Sequence, residues 1–140
     1  MAFERIKNRE THRLGFGLEI EERACEWLRL QSSWMLIARN FRSRGGEVDL
    51  IFEQLRPVTL PGGGLQNRIE LVFVEVRARE IGGMVSGFES VGPAKQRHLA
   101  LAARAFLSRY RGRAQAVRFD VVDWDGFQFR RMENAFSIPE

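Results

Sequence analysis

Two short segments carry residue types suited to phosphodiester chemistry: Gly46-Glu47-Val48-Asp49-Leu50 and Phe73-Val74-Glu75-Val76-Arg77. Each reads as an apolar strand interrupted by acids. Side chains two apart on a strand share a face, so Glu75 and Arg77 stand about 7 Å apart, in series with Leu71 and Phe73. Charges on the inward side of a strand must be paired, metal-bound or solvated in a cleft, because burying them alone is costly. Asp49, one strand earlier, is placed to bring a second carboxylate to the same spot.

Hydrolysing a phosphodiester takes an activated water, neutralisation of charge on phosphorus and help for the leaving oxygen. One or two Mg²⁺ (or Mn²⁺) ions held by a few carboxylates supply all three. In this reading Asp49 and Glu75 are the main metal ligands and the Val76 carbonyl a third. Glu21, on the first helix, reaches in as a further ligand, and Arg77 holds the scissile phosphate. The competing reading is structural: Glu75 and Arg77 neutralise each other, and Asp49 pairs with a turn arginine. An acid followed much later by Glu-x-Arg is a weak signal alone.

The elements that must position these residues follow from periodicity. Arg13 to Gln31 is helical, with Ile20, Ala24, Trp27 and Leu28 on one stripe. Trp34 to Phe41 reads as a strand, and Arg42 to Gly46 as a turn in which paired glycines supply positive φ. Glu47 to Glu53 is a second strand, with Val48, Leu50 and Phe52 on one face. Leu55 to Arg68, with two prolines and three consecutive glycines, is expected to be a long loop. Ile69 to Arg79 is nearly continuous apolar sequence, the pattern of a central strand covered on both faces.

Glu80 to Ser90 is a second glycine-rich loop. Pro93 opens a helix whose stripe is Leu99, Ala102, Ala103, Phe106, Leu107 and Tyr110, ending near Gly112. Val117 to Val122 alternates as a strand, Asp125-Gly126 is a hairpin signal, and Phe127 to Met132 returns; Glu133 to Glu140 is left unassigned. The predicted order is helix, three strands, helix, two strands: an α/β mixed sheet flanked by helices. Residues 1–12 read as a flexible N-terminal arm, and 13–140 as one domain.

The chain has a net charge of +4, and all its basic residues except Lys7 and Lys95 are arginines. Arginine suits bidentate phosphate contacts, and a basic surface attracts polyanions, nucleic acid first among them. Arg39, Arg42 and Arg44 surround the first turn and Arg79 follows the motif; as a phosphate track they extend the cleft, and otherwise they are solvated charges. No apolar run approaches membrane-spanning length and no signal peptide opens the chain, so no membrane partner is expected. The single cysteine, Cys25, cannot form an internal disulfide, which makes a reducing, cytoplasmic setting the expectation.

Taken together, Gly17-x-x-x-Glu21-x-x-Ala24-x-x-x-Leu28, Ala38-Arg39-Asn40-Phe41-Arg42, Gly45-Gly46-Glu47-Val48-Asp49-Leu50-Ile51 and Val72-Phe73-Val74-Glu75-Val76-Arg77-x-Arg79 form a specific set. Lys95-x-x-x-Leu99, Arg118-Phe119-Asp120-Val121-Val122 and Asn134-Ala135-Phe136 follow in order. This set resembles the bacterial YraN-like family of uncharacterised proteins, over roughly Gly15 to Phe136. The resemblance implies a restriction-endonuclease-like fold related to archaeal Holliday junction resolvases and PD-(D/E)xK nucleases. On that pattern Asp49 matches the motif aspartate, Glu75 the second acid, Arg77 the usual lysine, and Glu21 the helix glutamate of the resolvases.

The family's function is itself inferred largely from its fold. The chain departs from the pattern at Ile20, where a glycine is usual, in the length of the Leu55 to Arg68 segment, and at Arg77. Arginine stays protonated and cannot act as a base, although arginine here is frequent in the family. Lys95, one turn before Leu99 on the apolar stripe, either compensates by facing the sheet or is a helix-start lysine whose stem covers apolar surface. The resulting expectation is Mg²⁺-dependent hydrolysis of structured or branched DNA, with a homodimer by analogy to the resolvases. The alternatives are a non-catalytic nucleic-acid-binding module, or an adaptor that keeps the fold.

Overall fold

A computed structural model describes residues 17–78 and 91–137. Helix α1 runs through 17–29, followed by strands β1 (Trp34–Ser43), β2 (Gly46–Thr59) and β3 (Leu65–Ala78). Helix α2 (Pro93–Leu107) leads to β4 (Ala116–Trp124) and β5 (Phe129–Phe136). The sheet order is β1-β2-β3-β4-β5. All neighbours are antiparallel except β3 and β4, which run parallel because α2 carries the chain back across the sheet. This is the α/β layout and element order that the sequence predicts.

Each face of the sheet has its own apolar cluster. Ala24, Cys25 and Leu28 of α1 pack with Trp34, Leu50, Phe52, Val72, Val74 and Val122. Leu99, Ala102 and Ala103 of α2 pack with Ile51, Leu71, Phe73, Phe119 and Val121 on the other side. The uninterrupted run in β3 is thereby explained: Leu71 and Phe73 serve one helix, Val72 and Val74 the other, and all four are buried.

Four expectations are corrected. The segment expected as a long loop is an extension of β2 and β3, paired in register from Leu55↔Ile69 to Thr59↔Leu65. Its true turn is only Leu60–Gly64, where Gly62 (φ +97°) and Gly63 (φ +95°) take left-handed conformations and the Gly63 N–H donates to the Leu60 carbonyl. Pro57 is tolerated because, among the described residues, that part of β2 pairs only with β3. Gly45 and Gly46 do not have positive φ; a Cβ on Gly46 would stand 2.1 Å from the His98 carbonyl oxygen, so this glycine lets α2 lie against β2.

The third correction concerns faces. Val48 packs in the α2-side cluster although Leu50 and Phe52 pack on the α1 side. Lastly, β5 runs on to Phe136, through residues left unassigned from sequence. The arm 1–12, the loop 80–90 and Arg79 lie outside the described residues.

Candidate metal-dependent active site

The β2–β3 ladder stops at Leu50↔Val74. Beyond it the Asp49 side chain bridges the two strands: its Oδ2 accepts the Val76 N–H at 2.8 Å. Across from Asp49 on β1, between the pairs Arg39↔Leu50 and Phe41↔Val48, Asn40 takes a left-handed φ of 49°. Asparagine tolerates that conformation better than most residues. The change of face at Val48 occurs at this point, where β1 and β2 turn together.

Glu75 continues the Leu71–Phe73 series and is 4% exposed. Its Oε1 lies 3.3 Å from Lys95 Nζ and 3.4 Å from Arg77 Nε. Lys95 thus faces the sheet from the first turn of α2 and meets the carboxylate, as the compensating reading requires. Burial and the Asp49 charge still push Glu75 up to about 8, with Lys95 and Arg77 pulling the other way. Glu21, on α1, is pushed up to about 7 by burial, by the Asp49 charge, by a hydrogen bond to Asp49 and by Glu47. Glu21, Asp49 and Glu75 therefore form a line of interacting acids held by α1, β2 and β3.

Burial and the crowding of like charges around Asp49 are what raise the Glu21 and Glu75 carboxyls. The donors are all oxygen, which suits Mg²⁺ or Mn²⁺. Among the described residues no three His, Cys, Asp or Glu side chains converge closely enough to cage an ion. The set fits a hydrated ion held by one or two carboxylates, the usual way Mg²⁺ is bound. The Val76 N–H is committed to Asp49, which holds the backbone one peptide before the carbonyl expected as a ligand.

The arginines fall in different places. Arg39 is exposed and lines a hollow of about 200 Å³ with Glu21, Glu22, Asn40 and Leu50. Arg42 pairs with Glu47 at 3.5 Å, and Arg44 sits exposed at the β1–β2 turn. Asp120 accepts from Arg118 Nε (2.8 Å) and Nη2 (2.9 Å), Arg131 Nη1 (2.9 Å) and the Asn134 N–H (2.9 Å). Arg118 Nη2 also donates to Gln54 (2.7 Å), and the Arg131 guanidinium lies 5.0 Å from the Trp34 ring centre. This hub ties β2, β4 and β5 together; the alternation Arg118-x-Asp120 was its only sequence signal.

Residues 20–123 match the model of a family described as uncharacterised protein family UPF0102. A UPF0102 protein of Alkalilimnicola ehrlichii is 42% identical over 120 residues, covering 85% of this chain and 84% of that protein. One of Ralstonia nicotianae is 38% identical over 128 residues, covering 87% and 86%. Another, of Herminiimonas arsenicoxydans, is 37% identical over 132 residues and 94% of both.

Proposed function

We propose that this chain, which belongs to the uncharacterised protein family UPF0102, is a divalent-metal-dependent nuclease acting on structured or branched DNA. The observation that carries the reading is the meeting of Lys95 and Arg77 on one buried carboxylate, Glu75, beside Asp49. Asp49 and Glu75 are the residues to hold Mg²⁺ or Mn²⁺, with Glu21 behind Asp49. When bound, such an ion supplies charge neutralisation at phosphorus and a more acidic water.

The chain's own groups do the rest. Arg77 stays charged and holds a non-bridging phosphate oxygen. Lys95 presents three ammonium donors on a flexible stem, so it is placed to orient the attacking water or to stabilise charge on the leaving oxygen. The Val76 N–H keeps the Asp49 carboxylate oriented. Arg39 and Arg44 are exposed near α1 and the β1–β2 turn, where a phosphate backbone entering the site would meet them.

The test is cleavage of labelled single-strand, duplex, flap and four-way-junction DNA in Mg²⁺ and in Mn²⁺. Wild type should cut at least one of these, and Glu75→Ala should cut none while retaining DNA affinity. Cutting by Glu75→Ala would sink the assignment. Binding without cutting by wild type would favour the second reading, a nucleic-acid-binding module. Arg77, in place of the usual lysine, is the feature that supports that alternative.

A further inference from the structure

We propose that the two-stranded ribbon 56–68 is a second nucleic-acid contact. It would lie in a groove of a duplex, with Leu60 and Leu65 at its tip against bases and Arg68 at its base against phosphates. The inference rests on the nucleic-acid reading above and extends it to the end of the sheet remote from Asp49 and Glu75.

Among the described residues no third strand pairs with the ribbon. β1 pairs with β2 no further than Trp34↔Gln54, and β4 joins β3 only from Glu70↔Ala116. The flanking Leu55 N–H still donates to the Ser33 carbonyl, and the Gln115 N–H to that of Ile69. Between them, residues 56–59 and 65–68 pair as strands only with each other among the described residues. A two-stranded hairpin by itself is marginally stable in water, and this one exposes Leu60 (41%) and Leu65 (77%) at its tip.

Chemistry selects the partner. From Arg56 to Arg68 there is no acidic residue, and Thr59, Gln66 and Asn67 add hydrogen-bonding groups. Arg56 and Arg68 face each other directly in the register. Like charges so placed weaken a ribbon; Glu70 and Glu133 offset the Arg56 side only, which leaves Arg68 as the cation for an anionic partner. At the ribbon's base a hollow of about 430 Å³ is lined by Arg56, Arg68, Glu70, Arg118, Glu133 and Asn134. Arg56 is held by Glu70 and Glu133, and Arg118 by Asp120. Arg68 is exposed and makes no ion pair among the described residues.

A two-stranded ribbon matches the width of a DNA groove, and apolar side chains at a groove-bound tip wedge against base steps. Ten residues of β2 separate Asp49 from Thr59, about 33 Å along the strand. That length equals the rise of about ten base pairs. A duplex reaching both contacts must therefore extend roughly one helical turn from the carboxylates.

The full chain would be titrated onto fluorescein-labelled duplexes of about 30 and about 8 base pairs, at several salt concentrations, with anisotropy as the readout. The variants are Leu60→Ala/Leu65→Ala and Arg68→Gln, all at exposed positions, with thermal midpoints as the folding control. The leucine pair should bind the long duplex at least about tenfold more weakly with its salt slope unchanged. Arg68→Gln should lower that slope by about 1. If wild type binds no duplex, the nucleic-acid reading fails and the ribbon contact fails with it. If wild type binds and both variants match it in affinity and slope, the ribbon contact alone is overturned. A wild-type dimer that becomes a monomer on leucine substitution would assign the ribbon to a second copy and also overturn the proposal.

Discussion

At the scale of single residues the chemistry turns on how two cations share one carboxylate. Arg77 and Lys95 touch the same Glu75 oxygen at nearly equal distance, but arginine spreads its charge over a planar fork while lysine presents a compact ammonium with three rotatable donors. Lys95→Met should therefore lower the cleavage rate by at least about a hundredfold, while Arg77→Lys retains activity; equal losses in both would remove the distinction between them. The raised acids make a second prediction. Glu21 at about 7 and Glu75 at about 8, against an ordinary 4.5, hold protons in the folded state that the unfolded chain has released. Their contribution to stability is fully present below about pH 4.5 and is lost as pH rises through 7 to 8. Metal-free thermal midpoints of wild type should fall from pH 5 to pH 8 relative to those of Glu75→Gln, and a relative rise would contradict the crowding. At the far end of the sheet, Asp120→Ala leaves the 3%-exposed Arg118 without its bidentate partner. The loss should be about 3–5 kcal/mol, measured by urea unfolding.

At the scale of elements, two local features bring the acids to their places. Asn40 adopts a left-handed conformation opposite Asp49, and Gly46 allows the His98 backbone to approach β2. Gly46→Ala should push the start of α2 away and carry Lys95 off Glu75. The expected result is a lower thermal midpoint together with lost activity; an unchanged midpoint would mean that the approach is not needed. Asn40→Gly should be tolerated, whereas Asn40→Val should cost about 1–2 kcal/mol in urea unfolding, because a β-branched side chain resists positive φ. Both α-helices and all five strands were legible from periodicity, since each buries one face or both. The β2–β3 extension was not. Its prolines and glycines read as breakers, and only the pairing with a second strand, twelve residues of sequence away at Arg56↔Arg68 and less nearer the tip, reveals that the segment is extended.

For the whole molecule, the parallel step between β3 and β4, made by α2, is what brings an end of that helix to the carboxylate end of β3. With a net charge of +4, nucleic-acid affinity should fall steeply and log-linearly with salt, as counterion release requires. A flat salt dependence would turn the functional reading toward a protein partner. By itself the sequence determined the order of elements, the family, the two buried faces of β3 and the identity of Asp49, Glu75, Glu21 and Arg77 as candidates. These follow from short-range periodicity and from residue types at fixed spacing. Tertiary structure decided that Lys95, twenty residues beyond Glu75, closes on that carboxylate, that the 55–68 segment is a ribbon, and that Asp120 belongs to a structural hub. Those outcomes depend on which strands and helices become neighbours, and that is set by packing across the sheet rather than by any local pattern.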